Sequence, residues 1–169
     1  MRHLVVDEAA LQQCCDANSE ALSDIRRFCA EHGYHLHLIE NGDAPRILHD
    51  DLQNDLYVSS TTITPVRANE SCECSTPFCI RDAVLSSLGT DDEINVLLKD
   101  PRNECLANYA DRIFVTGELL RYCTQRNIPH HPVWLWFDCS RLLAAQAGQS
   151  KEIERRQARL YRMEASKTE

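Results

Sequence analysis

Long apolar runs are absent from this chain of 169 residues, and glycine and proline are scarce, at five and six residues. No segment approaches the roughly 18 consecutive apolar residues of a membrane-spanning helix, so a membrane partner is not expected. The apolar fraction of 43% excludes collagen-like and low-complexity classes. We therefore expect one globular domain with a full hydrophobic core.

Lysine is nearly missing from the first 140 residues, where Lys99 is the only one. That part holds 11 basic and 22 acidic residues, a net charge of −11, whereas residues 141–169 hold 7 and 4, a net charge of +3. Phosphate binding over a broad face needs clustered cations, so the main body is not expected to carry one. If RNA binds, the C-terminal segment, a few arginines and metal ions must supply the positive charge.

An apolar leader is also missing, because residues 1–3 run directly into the short apolar segment 4–6. Without a secretory signal pattern we expect a cytoplasmic protein. The nine cysteines are an odd number and do not fit a disulfide scaffold. Cys29, Cys105 and Cys123 fall on apolar periodicities, which predicts small buried side chains.

Strand-like and helix-like apolar patterns alternate along the chain. The predicted strands are 4–6, 35–39, 57–64, 113–116 and 133–137, and the predicted helices are 8–32 with a break near 18, 45–53, 80–88, one from 91, one from 101, 118–125 and 151–162. This order predicts an α/β fold with three layers, α/β/α, around a mostly parallel central sheet. Residues 1–147 would form the domain, with an insertion around 54–91, and 148–169 a charged C-terminal helix or tail.

Acidic residues stand where predicted strands end. Asp7 ends the first strand, Glu118 follows strand 113–116 after one glycine, and Asp138 ends strand 133–137, while Asp100 caps the helix before strand 113–116. Ligands of open parallel sheets bind outside the carboxyl ends of the strands. Converging carboxylates repel one another unless a cation such as Mg²⁺ or Mn²⁺ neutralises them, and such ions can activate water for phosphodiester cleavage.

This arrangement resembles the PIN-domain ribonucleases, small metal-dependent enzymes in which three or four acids cluster beside a parallel sheet. The segment Leu4-Val5-Val6-Asp7 is similar to the family's first strand, which ends in Asp. The family's later pattern is an Asp at a helix start followed by a strand ending Val-Thr-x-Asp, and it is similar to Asp100 and, 18 residues on, Val115-Thr116-Gly117-Glu118. The resemblance covers residues 3–53 and 92–137.

The chain departs from the family pattern at three places. Glu8 follows Asp7 where the family usually has Ser, Thr or Asn, and Glu118 replaces an Asp. The family's second acid has no clear match. The candidates for it are Glu40, Asp43, Asp50 and Asp51. Asp43 is preferred because it would cap the predicted helix 45–53.

The resemblance implies a metal-dependent endoribonuclease, a hydrolase that binds and cleaves RNA. Its catalytic residues would be Asp7, Asp100 and Glu118, its Mg²⁺ or Mn²⁺ ligands these three and Asp43, and its substrate-binding residues Arg112 and Arg121. The alternative is a catalytically inert scaffold that docks a protein partner or a second copy through the Cys-rich insertion or the C-terminal helix. Each acid then has a structural role, with Asp7 accepting turn amides, Asp100 capping a helix and Glu118 favoured by a helix dipole.

Cys72, Cys74 and Cys79 could begin a tetrahedral zinc site. The insertion has no second Cys-x₂-Cys pair and no histidine, so the spacing argues against zinc there. In the basic segment 149–169, Leu160 and Met163 belong to an apolar stripe too narrow for firm packing. We expect an exposed helix, stabilised by its own ion pairs or acting as a basic arm toward RNA or another copy.

Overall fold

The apolar runs form a seven-stranded, mostly parallel sheet in a computed structural model that describes residues 1–14, 20–43, 45–51, 60–65, 72, 77–89, 91–147 and 155–166. The strands are β1 (Arg2–Asp7), β2 (Tyr34–Glu40), β3 (Arg46–Asp51), β4 (Ser60–Pro65), β5 (Glu93–Leu98), β6 (Arg112–Val115) and β7 (His131–Pro132). The helices are α1 (Glu8–Cys14), α2 (Glu20–His32), α3 (Ile80–Ser87), α4 (Glu104–Ala107), α5 (Gly117–Gln125), α6 (Trp136–Ala147) and α7 (Arg156–Ala165). A short 3₁₀ turn, Pro101–Asn103, precedes α4. None of the described helices is long and apolar enough to cross a membrane.

The strand order β4-β3-β2-β1-β5-β6-β7 puts β1 at the centre of the sheet. In this spatial order the neighbouring pairs β2–β1, β1–β5, β5–β6 and β6–β7 are parallel. Strand β3 is antiparallel to both β2 and β4. The chain builds outward from β1 to β2 on one side and later from β5 to β7 on the other. The boundary between β1 and β5 is therefore a topological switch point, where open α/β sheets bind ligands.

Two apolar clusters, one on each face of the sheet, confirm the three-layer α/β/α fold. One cluster packs α3, α4 and α5 against side chains that include Val5 and Val96, and the other packs α1, α2 and α6 against side chains that include Leu4 and Val6. Successive β1 residues thus face opposite helical layers, as a central parallel strand requires. Cys29 and Cys123 lie fully buried in these clusters, as predicted.

Two predicted helices are wrong. The segment 45–53 contains β3, which pairs with β2 and β4, so Asp43 lies in the turn between β2 and β3 and caps no helix. The helix predicted from residue 91 is β5, whose six residues are all buried between β1 and β6. Its acids do not serve a helix dipole, since Asp92 pairs with the N-terminal amine at 2.5 Å and Glu93 with Arg112.

The strand predicted over 133–137 is also wrong. Pairing with β6 ends at Pro132, and α6 begins at Trp136. Trp134 is 67% exposed, and Asp138 lies in the first turn of α6 instead of ending a strand. The alternation of aromatic and aliphatic residues over 133–137 is typical of a strand, but pairing with β6 stops before this segment.

Helix α7 packs against the main body, which corrects the expectation of an exposed helix. Ala158 and Arg162 are buried, and Arg155 donates hydrogen bonds to the backbone oxygens of Ala107 and Asn108. Leu160 and Met163 stay exposed, as their narrow stripe predicted. Since α7 buries little apolar surface, hydrogen bonds to backbone oxygens of the main body help to hold it in place. The predicted helix break near 18, the start of strand 57–64, most of the insertion and the start of the predicted helix 151–162 lie outside the described residues.

Three histidines form a hydrogen-bonded chain across β1, β2 and β3. His3 Nδ1 lies 2.9 Å from His37 Nε2, and His37 Nδ1 lies 2.8 Å from His49 Nδ1. At the far end, His3 Nε2 lies 3.2 Å from an Asp92 carboxylate oxygen, which can only accept. With the His3 proton on Nε2, facing this carboxylate, His37 donates to His3 and His49 donates to His37, and a second proton on His37 would break the chain.

We expect acid to destabilise the fold through His37. Burial, followed by the neighbouring His3, His49 and His35, lowers the pKa of His37 to about 3. The unfolded chain binds that proton below its ordinary pKa of 6.5, so stability falls as the pH drops from 6.5 toward 3. Between pH 7 and pH 4.5 this amounts to about 2–3 kcal/mol. Urea unfolding at both pH values, on wild type and His37→Gln, measures it; parallel losses in the two proteins would contradict the assignment.

Candidate functional site

Three of the predicted acids follow three neighbouring parallel strands at one edge of the sheet, here called the acid edge. Asp7 ends β1, Asp100 comes two residues after β5, and Glu118 comes three residues after β6. The acid edge therefore coincides with the carboxyl end of the switch point between β1 and β5.

Asp7 is the buried anchor of the acid edge. Its Oδ1 accepts from the backbone N–H of Ala10 at 2.6 Å, and its Oδ2 accepts from the N–H of Lys99 at 2.8 Å, the N–H of Asp100 at 2.9 Å and Asn103 Nδ2 at 3.1 Å. Burial raises the pKa of Asp7, while these hydrogen bonds act in the opposite direction. The carboxylate thus joins the start of α1 to the chain that leaves β5.

Asp100 caps the 3₁₀ turn as predicted, since its side chain accepts from the backbone N–H of Arg102 at 2.9 Å. The Arg102 guanidinium also pairs with this carboxylate at 2.7 Å and donates to the Asn41 backbone oxygen at 3.0 Å. Burial of Asp100 would raise its pKa, but the hydrogen bonds from Arg102 prevail, and the pKa is lowered. Asp100 is therefore an anion already held by a cation that is itself half exposed.

Asn103 was not predicted as a site residue. It is buried beside Asp7, and its Oδ1 has no hydrogen-bond partner in the part of the chain that the structure describes. A buried amide oxygen without a partner costs free energy, so such an atom marks a place where a ligand or a cation can bind. The sequence feature that could have indicated this role is the position of Asn103 three residues after Asp100.

Lys99 is the second residue that sequence reasoning did not assign to the site. Gly117 has a positive φ of 61°, and a Cβ added there would meet Lys99 Cγ at 3.3 Å. The lysine side chain therefore lies along the turn that leads to Glu118. Its place directly after β5, as the only lysine of the first 140 residues, was the signal.

The two arginines predicted to contact substrate lie at different edges of the sheet. Arg121 is exposed on α5, three residues after the exposed Glu118, so the two share one helical face at the acid edge. Arg112 begins β6 at the opposite edge, where it is buried and bound to Glu93 and to Asn95 Oδ1 at 3.0 Å.

The candidates for a second acid spread over β2 and β3. Asp43 is exposed in the β2–β3 turn, at the same edge as Asp7. Glu40 pairs with Arg46, and Asp50 is buried and pairs with Arg26 at 2.5 Å. Asp43 is thus the candidate whose carboxylate meets the solvent beside the acid edge. The side chain of Asp51 lies outside the described residues.

Large apolar side chains are exposed beside the acid edge. Trp134, Leu135 and Phe137 are 67%, 57% and 68% exposed. They follow β7, which runs parallel to β6, so they lie at the same edge as Glu118. Arg141, one helical turn after Phe137 on α6, is exposed as well. We call Trp134, Leu135 and Phe137 the aromatic rim.

The described part of the chain has one group of three or more His, Cys, Asp or Glu side chains whose ligand atoms lie within 4.8 Å of one another, and it consists of Cys72, Cys79 and Cys105. The acids of the acid edge therefore do not converge to that distance. Cys105, expected as a small buried side chain, is half-buried in this thiol group.

Together these residues define an α/β protein with acidic and basic side chains at the switch point of a mostly parallel sheet. No protein-family model matches the chain, and no curated protein matches it significantly.

Proposed function

We propose that this protein is a divalent-metal-dependent endoribonuclease that cleaves RNA phosphodiesters at the acid edge. The observation that carries the proposal is the placement of Asp7, Asp100 and Glu118 after three neighbouring parallel strands, at the switch point of the sheet. The same order and spacing underlie the resemblance to PIN-domain ribonucleases.

The oxygen atoms of the acid edge suit Mg²⁺ or Mn²⁺, which prefer carboxylate and amide oxygens. Asp100, Glu118 and Asn103 Oδ1, to which no described residue donates a hydrogen bond, would hold the metal, with Asp43 as an exposed fourth candidate. Asp7 already accepts four hydrogen bonds, so its main part is to position Asn103 and the turn at Asp100. Such a metal lowers the pKa of bound water and neutralises charge on phosphate.

Arg102 links metal binding to substrate binding in this proposal. Its guanidinium pairs with the Asp100 carboxylate at 2.7 Å, where a metal would bind. With a metal on this carboxylate, the Arg102 guanidinium would be free to pair with a substrate phosphate, for which its planar fork is suited. In the hydrolysis, water adds to phosphorus, one P–O ester bond breaks, and the proton that the water loses ends on the departing oxygen.

Single-stranded RNA fits the remaining surface of the acid edge. Arg121 and Lys99 can pair with phosphates, and Arg112, at the opposite edge, has no part in this. The aromatic rim offers Trp134 and Phe137 for base stacking, which contributes about 1–3 kcal/mol per base and tolerates any sequence. We propose the cytoplasm as the compartment, since none of the described cysteines is in a disulfide.

Glu118→Gln is expected to lower RNA cleavage about 100-fold, because it removes an exposed anionic metal ligand while the fold keeps its contacts. The measurement is single-turnover cleavage of an end-labelled single-stranded RNA with Mn²⁺ or Mg²⁺, with EDTA as the metal-free reference. Glu31→Gln is the matched control, because Glu31 is an exposed helical glutamate of α2 at the opposite edge of the sheet.

Equal cleavage by wild type and Glu118→Gln, or none by wild type with either metal, would contradict the nuclease proposal. The second outcome would favour the alternative, an inert scaffold that binds a protein partner. The saturated carboxylate of Asp7 and the pairing of Asp100 with Arg102 are the observations on that side. Binding of the same RNA without cleavage would separate a nucleic-acid scaffold from a protein-binding one.

A further inference from the structure

Three thiols from distant parts of the chain meet beside α3 and α4. Cys72 lies in the connection between β4 and α3, Cys79 is the N-cap residue of α3, and Cys105 is the second residue of α4. The sulfur atoms of Cys72 and Cys105 are 3.4 Å apart, and all three sulfurs lie within 4.8 Å of one another. The fold therefore brings Cys105 to a pair that the sequence places 26 residues or more away.

The separation of the sulfurs fits ligands of a common metal ion and not a disulfide. A disulfide joins its sulfurs at about 2.05 Å, far below the 3.4 Å between Cys72 and Cys105. Tetrahedral zinc holds each sulfur at about 2.3 Å, which puts the sulfurs about 3.8 Å from one another. The 3.4 Å between Cys72 and Cys105 is a little shorter than that value, and the other sulfur pairs lie within 4.8 Å.

Metals bind the ionised form of cysteine, and a helix N-terminus and a cation lie beside these thiols. Cys79 stands at the N-terminus of the eight-residue helix α3 and its side chain makes no capping hydrogen bond. The guanidinium of Arg81, two residues on, pairs with Asp82 and lies over the ring of Tyr109, 5.4 Å from its centre, near Cys72 and Cys105. A helix N-terminus and a nearby cation both stabilise thiolates.

We propose that Cys72, Cys79 and Cys105 bind one Zn²⁺ ion at a structural site, independent of the proposed nuclease function. Three thiolates select a soft or borderline cation such as zinc over Mg²⁺ or Mn²⁺. The sequence supplies a fourth thiol, Cys74, two residues after Cys72 and outside the described residues. The sequence spacing argued against zinc because the insertion alone lacks a second pair of ligands, whereas the fold adds Cys105 from α4.

This site would connect the chain between β4 and α3 to the core. Cys72 and Cys105 are 33 residues apart in sequence, and α3 and α4 are short helices, of eight and four residues. A metal bound by both helices fixes their relative position, as structural zinc does in small domains.

Co²⁺ titration of the reduced, metal-stripped full chain tests the site. We expect one Co²⁺ per chain, with thiolate-to-cobalt charge-transfer bands and the intense visible bands of tetrahedral cobalt, both removed by one equivalent of Zn²⁺. Cys105→Ser is expected to weaken Co²⁺ binding about 100-fold or more. Cys139→Ala, a buried cysteine of α6 outside the group, is the control and should bind as wild type does.

Cys72→Ser provides a second variant if Cys105→Ser does not fold, because Cys72 lies outside the helices. Cys74→Ser then decides the fourth ligand: loss of charge-transfer intensity indicates four thiolates, and an unchanged spectrum indicates three thiolates with water. The proposal is overturned if wild type binds no Co²⁺ or Zn²⁺, if Cys139→Ala loses binding as Cys105→Ser does, or if non-reducing peptide mass spectrometry finds Cys72 joined to Cys105 in the purified protein.

Discussion

Replacing Asp7 with alanine is expected to lower the free energy of unfolding by about 3–5 kcal/mol, whatever the protein's activity. The change leaves four donors without their acceptor, namely the buried N–H of Ala10 and amide of Asn103 and the partly buried N–H groups of Lys99 and Asp100. Each buried unsatisfied donor costs about 1–3 kcal/mol. Removing a desolvated carboxylate, whose pKa burial raises, recovers part of that cost, so the total stays below the sum.

Urea unfolding followed by circular dichroism measures this loss. Asp7→Asn should lose less, because its amide oxygen can still accept from the Lys99, Asp100 and Asn103 donors while its NH₂ group faces only Ala10. Glu118→Gln is the control at the same edge, and a change within about 0.5 kcal/mol is expected for that exposed residue. Equal stabilities of Asp7→Ala and Glu118→Gln would contradict the anchoring role. This is why activity is tested at Glu118 and not at Asp7.

The sequence predicted the fold class because the strands that define it carry clear local patterns. Residues 4–6 and 113–115 are short apolar runs, residues 35–38 alternate histidine with leucine, and each segment became a strand in the centre of the sheet. Strand β5 was missed because apolar residues within 94–98 also have the three- and four-residue spacing of the buried side of a helix. Burial on both faces, between β1 and β6, decides for a strand. That burial depends on tertiary partners, which no local pattern records.

Strand β3 was missed for a related reason. The Asp43-x-Pro45 start imitates the cap and first residue of a helix. The segment is instead the middle strand of an antiparallel set with β2 and β4. Its pairing on both sides satisfies the backbone donors that a helix would have satisfied internally. Pairing with β2 and β4 on both sides therefore outweighs the local helix-capping pattern.

The acid edge was partly predictable from position alone. Asp7, Asp100 and Glu118 were found because parallel strands bring their carboxyl ends to one edge. Asn103 and Lys99 were missed because their importance depends on contacts: Asn103 donates to Asp7, and Lys99 lies along the Gly117 turn. The thiol group was missed because a residue 26 positions past Cys79 completes it. Sequence spacing reports ligands only when they share one segment.

Arg162→Met is expected to cost about 3 kcal/mol and to release α7 from the body. The Arg162 guanidinium donates to the Tyr109 backbone oxygen at 2.7 Å and spans both oxygens of Asp111, at 3.2 and 3.3 Å. Both side chains of the ion pair are at most 3% exposed. Removing one partner of a buried pair leaves an uncompensated charge and costs about 3–5 kcal/mol. Undocking of α7 lets water reach Asp111, which limits the loss to the lower end of that range.

Arg159→Met on the same helix is the matched control, since Arg159 is half exposed and lies 3.6 Å from the exposed Asp91, a pair expected to contribute at most about 1 kcal/mol. Limited proteolysis between residues 145 and 166, followed by mass spectrometry, should show faster cleavage of Arg162→Met than of wild type or Arg159→Met. Adding Asp111→Asn to Arg162→Met should recover part of the stability, because the unpaired charge is then gone. The recovery is partial, because the asparagine that replaces Asp111 has one side-chain oxygen left to accept from Ile94 N–H. If both single variants lose the same small amount, α7 is held by its surface charge alone. If Arg162→Met alone is cleaved faster, the buried ion pair is what turns a basic segment with too few apolar residues into part of the folded domain.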